Sequence, residues 1–461
     1  MKIIILGGDQ VGGILAENLV KEDHDITVVD LDRDKLKDLR QRLDIRTIQG
    51  FASYPNVMQE ANAEDADLII AATSNDEVNL VACQAAYSLF KIPTKIARVR
   101  AKEYLAYPHL FDDKDLPVDV FINSEQLMTK RIQRLLEHPG ALQVLDFAKG
   151  KARILAIKPT DDSPLINKTI GDIYQLIKIE LRVVAIFRGE NAVSPEESAQ
   201  IQAGDEVFFL MAGENTYKAL SKLGRLDGPY EKIMISGNDR LSETLAEALE
   251  EKFQIKLITN DKKRAEHFAD KLNNTTVLYG DPADRQLLSN ENIEYTDVFC
   301  AMSSDDESNI MSCILAKQLG VRRTMCLIRH TTYIDLIEEN NEIDIAISPQ
   351  QTTISAILRY VRQGDMVNVY SLRRGSTEAI EIVAHGDEKT SQVVGKSIET
   401  LKLPKSATIG AIVRKDGVMI AKDDLVIESD DHVILFLTDK NDIHLIEKLF
   451  KADGVDTKKR K

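Results

Sequence analysis

The sequence predicts an α/β protein with two doubly wound parallel-sheet lobes, each followed by a small α+β C-terminal lobe. Three observations lead there. A shift of 230 residues lays "KIIILGGDQVGGILAENLVKEDHDITVVD" at 2–30 on "KIMISGNDRLSETLAEALEEKFQIKLITN" at 232–260 without a gap, and the match resumes between 48–83 and 278–313. Within each copy, short β-branched runs alternate with stretches of helical periodicity, the rhythm of repeated βαβ units on a parallel sheet. A different unit at 166–223 recurs at 392–449 with a shift of 226, so the order is A-B-A′-B′.

In the first copy, "IIIL" reads as a buried strand, "GGDQVGG" as a glycine turn opening a helix, and "DITVVD", "ADLIIAAT" and "KIARVR" as the strands that follow. Helical stretches at 124–140 and 349–365 lead into the B units, and Leu127, Ile132, Leu135 and Leu136 give the first of them an apolar stripe. We read these as linker helices. Each B unit shows short strands broken by turns (Gly189-Glu190-Asn191, Asp416-Gly417) and closes with an amphipathic helix. The boundaries predicted are 1–123, 141–225, 231–348 and 366–450, with the junction of the halves in "RLDGPYE" at 225–231. The basic end "DTKKRK" reads as a solvated tail.

Asp and Glu outnumber Lys and Arg by 74 to 59, giving net charge −15, and such a surface repels nucleic acid. The most apolar runs fall far short of the roughly 20 residues a membrane helix needs. The N-terminus enters a strand directly, with no signal-peptide pattern, which predicts a cytoplasmic protein. The cysteines, Cys83, Cys300, Cys313 and Cys326, lack metal-ligand spacing and read as small core residues. No metal site is predicted, and "AGDE" at 203–206 and "ESDD" at 428–431 read as turn carboxylates.

In a dinucleotide-binding turn, glycines let helix N-terminal N–H groups face a pyrophosphate. Residues Gly7, Gly8, Asp9, Gln10, Val11 and Gly12 keep the first and third glycines, but Asp9 places a side chain and a charge where the second belongs. Asp30 ends the next strand, where an acid reaches ribose hydroxyls. Thr73 and Ser74 follow "LIIAA" at the carboxyl edge of the sheet and are candidate ligand contacts, while Asp76 reads as a helix-capping charge. Arg98 and Arg100, two apart and so on one face of a strand, are candidate phosphate contacts. The second copy keeps one glycine of three in Gly237 to Ser242, has Asn260 for Asp30, and sets Ile328 against Arg98 in the ungapped match. Its site reads as weakened or lost.

The A-B-A′-B′ plan, with "MKIIILG", "QVGG", "LVACQAAYSLF", "ISPQQTTISAIL" and "GDEKTSQVVGKSI", resembles the TrkA family, cytosolic regulatory subunits of bacterial Trk potassium-uptake systems. The resemblance runs from residue 1 to about 450 and departs at Asp9 and across the second turn. It implies tandem RCK units, each a Rossmann-like lobe and a C-terminal lobe. It further implies a homo-oligomeric ring, commonly a tetramer, on the cytoplasmic face of a TrkH or TrkG membrane pore subunit. The ligands implied are NAD(H) or the adenine nucleotides ATP and ADP, held by Gly7, Gly8, Asp9, Gln10, Val11, Asp30, Thr73, Ser74 and Arg98, with Arg100 as a further phosphate contact.

Two other readings compete with a nucleotide-sensing regulator. An NAD(P)-dependent oxidoreductase needs a proton donor against the nicotinamide. The eight histidines are scattered, and none has a recognisable orienting carboxylate in the sequence. The expectation is therefore not an enzyme. A ligand-free assembly module is the other alternative, kept open by the altered glycine turns.

Overall fold

The computed structural model describes residues 1–451 except 21, 23, 113–114, 160, 162, 190, 224–227, 331, 335–336, 338–341, 363–364 and 373–375; at Gln10 it describes the backbone alone. Part of the predicted junction, Glu190 of the first B-unit turn and the basic tail lie outside the described residues.

Lobe A is a six-stranded parallel sheet of β1 (Lys2–Leu6), β2 (Asp25–Asp30), β3 (Arg46–Gln49), β4 (Leu68–Ala71), β5 (Thr94–Arg98) and β6 (Val120–Ile122) in the order β3-β2-β1-β4-β5-β6. Four of the five residues of β1 are buried, as expected of a strand covered on both faces by helices. Those helices are α1 (Gln10–Val20), α2 (Arg33–Arg42), α3 (Pro55–Glu60), α4 (Asp76–Phe90) and α5 (Lys102–Leu105). The strand order reverses between β1 and β4, so their carboxyl ends border a crevice where doubly wound sheets bind ligands.

After α6 (Ser124–Glu137), lobe B forms an antiparallel sheet of β7 (Gln143–Phe147), β8 (Ala152–Ile157), β9 (Leu181–Arg188), β10 (Asn191–Val193) and β11 (Glu206–Ala212), with α7 (Ile170–Ile177) and α8 (Thr216–Lys222). Its order is β10-β9-β11-β8-β7, the fifth strand lying between the second and third. Lobe A′ repeats lobe A with β12 (Lys232–Ser236), β13 (Gln254–Thr259), β14 (Thr275–Tyr279), β15 (Val298–Ala301), β16 (Arg323–Leu327) and β17 (Ile345–Ile347), and with α9 (Arg240–Leu249), α10 (Lys262–Lys271), α11 (Arg285–Asn290) and α12 (Asp306–Gln318). After α13 (Pro349–Val361), lobe B′ repeats the topology of lobe B with β18 (Met366–Leu372), β19 (Thr377–Val383), β20 (Ala407–Arg414), β21 (Gly417–Ile420) and β22 (His432–Leu437), closed by α14 (Ile443–Phe450). The turn carboxylates recur as pairs, Asp205 with Arg188 at 2.9 Å and Asp431 with Arg414 at 2.7 Å. All four cysteines are buried and free.

The halves are interlocked. The apolar stripe on α6, with Met128, Ile132, Leu135 and Leu136 buried, packs against α9 of lobe A′, and α13 packs against α1 of lobe A. One core therefore joins lobe B to lobe A′ and another joins lobe A to lobe B′. Reading these helices as linkers understated them, because their stripes are the surfaces on which the opposite half folds. The two helices also meet each other, through Ser124 and Thr353 hydroxyls at 3.1 Å. The B and B′ sheets face one another across Phe208 and Phe436, whose ring centroids are 5.2 Å apart. Arg362, at the end of α13, is buried and bonds both Glu22 and Glu378, tying lobe A to lobe B′.

Candidate functional site

The candidate site is built at the carboxyl ends of β1, β2, β4 and β5. β1 stops at Leu6, and Gly7 turns the chain in the left-handed region at φ +106°, where a Cβ would lie 3.1 Å from the Ala72 carbonyl oxygen. A Cβ on Gly12 would lie 1.8 Å from the Gly7 carbonyl oxygen, so only glycine lets α1 start this close to β1. The Gly8 N–H donates to Asp30 Oδ2 at 2.5 Å, and Asp30 Oδ1 accepts the Asp32 N–H at 2.8 Å. A carboxylate oxygen has two lone pairs, so each oxygen of Asp30 keeps capacity for a ribose hydroxyl.

Asp9 begins α1: its carbonyl accepts the Gly13 N–H at 2.7 Å, while its side-chain Oδ1 is buried with no hydrogen-bond partner. Val11 is half-buried in the first turn of α1; the Gln10 side chain lies outside the described residues. The first N–H groups of α1 have no partners within the helix and carry its positive dipole end.

At the end of β4, Thr73 and Ser74 part company. The Thr73 hydroxyl donates to Asn79 Oδ1 at 2.7 Å and accepts the Asn75 N–H at 3.3 Å, so it shapes the turn. Ser74 is exposed. Asp76 does not cap α4; Asn75 does, accepting the Val78 N–H at 2.7 Å. Asp76 is buried instead and accepts the N–H groups of Arg100 and Ala101, each at 2.8 Å.

That anchor corrects the placement of the two arginines. β5 ends at Arg98, so strand alternation does not extend to Arg100, whose guanidinium turns back onto the Ser74 carbonyl and lies 3.6 Å from Asp76 Oδ1. Arg98 is half-buried, with Nε unpartnered. Sequence reading also missed Asn79, which braces both Thr73 and the Arg98 carbonyl, the latter at 2.9 Å. The signal was present in the repeat: Asn309 stands 230 residues on and makes the same bonds to Ser303 and Leu327.

Those bonds correct the alignment as well. β16 runs one residue early relative to the shift of 230, so Leu327, not Ile328, matches Arg98, and Arg329 matches Arg100. Arg329 lies 3.4 Å from Asp239, the counterpart of Asp9. Asp239 caps α9 through the Leu241 and Ser242 N–H groups, both at 3.1 Å, and accepts the Ser242 hydroxyl at 3.0 Å. A Cβ on Gly237 would lie 2.0 Å from Ser242 Oγ. The second turn is thus filled by its own side chains.

Several histidines find carboxylates in space, partners the sequence reading leaves open. His267 lies 3.2 Å from Glu243, His330 2.9 Å from Asp306, His385 3.1 Å from Asp430 and His432 2.6 Å from Glu381. These four belong to the second half of the chain and stand on none of the elements that form the first turn. Among the described residues, no helix is long and apolar enough to cross a membrane.

Comparison with known proteins follows this duplicated plan. The TrkA-N domain matches residues 3–123 and 233–349, and the TrkA-C domain matches 154–224 and 382–451. The chain is 49% identical over 453 residues to the Trk system potassium uptake protein TrkA of Halomonas elongata, spanning 98% of this chain and 99% of that one. This chain belongs to the TrkA family. The protein of the same name from Vibrio alginolyticus is also 49% identical over 453 residues, again covering 98% and 99% of the two chains. Among solved structures, the GsuK channel bound to NAD superposes with a TM-score of 0.61 at 17% identity over 97% of this chain and 78% of that one, a likeness of fold. Membership of the TrkA family makes the chain a regulatory subunit of potassium transport rather than an enzyme.

Proposed function

We propose that this chain is the peripheral, cytoplasmic gating subunit of a Trk-type potassium pore of the TrkH or TrkG kind, and that it binds NAD(H), ATP or ADP in the first turn of lobe A. The observation that carries this is the contrast between the two copies. In lobe A′ the helix N–H groups are capped by Asp239, and Arg329 lies against it; in lobe A, Asp9 caps nothing, and Arg98 stands where lobe A′ has the apolar Leu327.

The residues fit a nucleotide. Gly7, Gly8 and Gly12 bring backbone close to the crevice, Asp30 retains acceptor capacity for a ribose, and α1 offers its N-terminus to phosphate. Arg98 supplies the cation, and Ser74 flanks the site. Val11 and the Gln10 backbone belong to the same first turn. Arg100 and Thr73, already engaged, hold the edge in shape.

As a gating ligand, the nucleotide acts by differential affinity. It shifts the population toward whichever lobe arrangement it binds better, and the shift is limited to that difference. Because lobe A shares a core with lobe B′, a change at the first turn reaches the other half through α1 and α13. In a tetrameric ring that movement is passed to the pore.

The test is thermal denaturation of the full chain with NADH, NAD, ATP and ADP. A ligand at 100 times its dissociation constant adds about 2.7 kcal/mol to stability. The reading expects a rise in Tm for at least one nucleotide that Arg98→Gln reduces. No rise for any of them favours the ligand-free assembly module.

A further inference from the structure

We propose that the cleft between α6 and α13 is a second small-molecule site, separate from the glycine turn, which takes a phosphate-bearing anion with an apolar body. The cleft encloses about 440 Å³, within the size range of small-molecule sites. It is walled by α6, α13, the end of β6, and the edge strands β7 and β18, so it lies where lobes A, B and B′ meet.

Its charge points to the ligand. Lys130, Arg131 and Arg134 on α6 and Arg359 on α13 all line it, and none of its lining residues is acidic, in a chain of net charge −15. The spacing explains the convergence, since positions three and four apart share a helix face. Arg134 is neutralised by Asp146 at 2.9 Å. Among the described residues, no carboxylate pairs with Lys130, Arg131 or Arg359. Arg131 donates only to the Thr352 hydroxyl, at 3.0 Å, and burial pulls its guanidinium down to about 10. A half-buried cation held by one neutral hydroxyl is costly unless a counter-charge arrives.

The rest of the lining sets the shape of the ligand. Phe121, Leu127, Val144 and Leu145 give an apolar wall, and Gln143, also lining the cleft, has a buried Oε1 with no partner, free to accept from a ligand hydroxyl. Because the walls come from three lobes, an anion here favours one arrangement of those lobes over others.

The experiment is a ligand-observed NMR titration of the full chain with two probes, phenyl phosphate and inorganic phosphate, at low salt. Wild type and Asp30→Asn are expected to bind phenyl phosphate equally, and at least fivefold tighter than inorganic phosphate. Arg359→Gln, an exposed change, and Arg131→Met are each expected to weaken phenyl phosphate at least tenfold with unchanged near-UV circular dichroism. No binding by wild type, or binding that survives both arginine changes, overturns the site. Equal affinity for the two probes overturns the apolar body.

Discussion

The Gly8 N–H and the Asp30 carboxylate are joined by a 2.5 Å hydrogen bond that closes the first turn against the end of β2. Asp30 therefore has two tasks, holding the turn and facing the crevice. The two are separable because an asparagine oxygen can still accept the Gly8 N–H but carries no charge. Asp30→Asn is expected to keep the wild-type Tm without ligand and lose about tenfold in nucleotide affinity, whereas Asp30→Ala lowers Tm as well. Calorimetric titration paired with melting curves separates them.

Asp9→Gly is expected to tighten nucleotide binding at least tenfold, which is about 1.4 kcal/mol. The substitution removes a carboxylate from the position where phosphate approaches. It costs α1 little, since Asp9 Oδ1 caps no N–H group. Unchanged affinity in a titration with ADP would place the phosphates away from the turn.

Gly12→Ala puts a methyl group 1.8 Å from the Gly7 carbonyl oxygen and is expected to destabilise lobe A by about 3 kcal/mol, the upper range for overpacking. The second copy tolerates Ser242 at this position because its turn is built differently, with Gly237 outside the left-handed region. Urea denaturation of the variant should show a lower midpoint.

Arg362→Leu leaves Glu22 and Glu378 facing each other without their cation. Stranding one member of a buried ionic group costs about 3–5 kcal/mol. Replacing all three with apolar residues is expected to recover most of that loss, and chemical denaturation of the single and triple variants measures both.

Glu381 is buried on β19, and burial alone would raise its pKa. Hydrogen bonds from His432, from the Ala148 N–H at 3.0 Å and from Asn368 outweigh burial and hold it below the usual carboxylate range. A depressed carboxylate contributes stability that is full above its unfolded pKa and is lost as pH falls through the folded one. The bond to Ala148 crosses from lobe B′ to lobe B. The contact between these lobes is therefore expected to weaken below about pH 4.3. Glu381→Gln should flatten that part of the stability profile, measured by denaturation between pH 6 and pH 3.

The duplicated lobes, the first glycine turn and the acid at the end of β2 were legible in the sequence, because each rests on local chemistry. Glycine is demanded by a turn, an apolar run by a covered strand, and a repeat by a repeated fold. The fate of the charged side chains was not legible. Arg98 and Arg100 look equivalent two residues apart, yet Asp76 draws the backbone of Arg100 and Ala101 out of the strand, while Arg98 Nε is left without a hydrogen-bond partner. Likewise, the stripe on α6 announced that the helix must be buried but not against what. Local sequence determined which elements form and which faces are apolar. Tertiary structure alone decided that α6 serves lobe A′, that α13 serves lobe A, and that four basic side chains meet in one cleft, because partners hundreds of residues apart are chosen by packing rather than by periodicity.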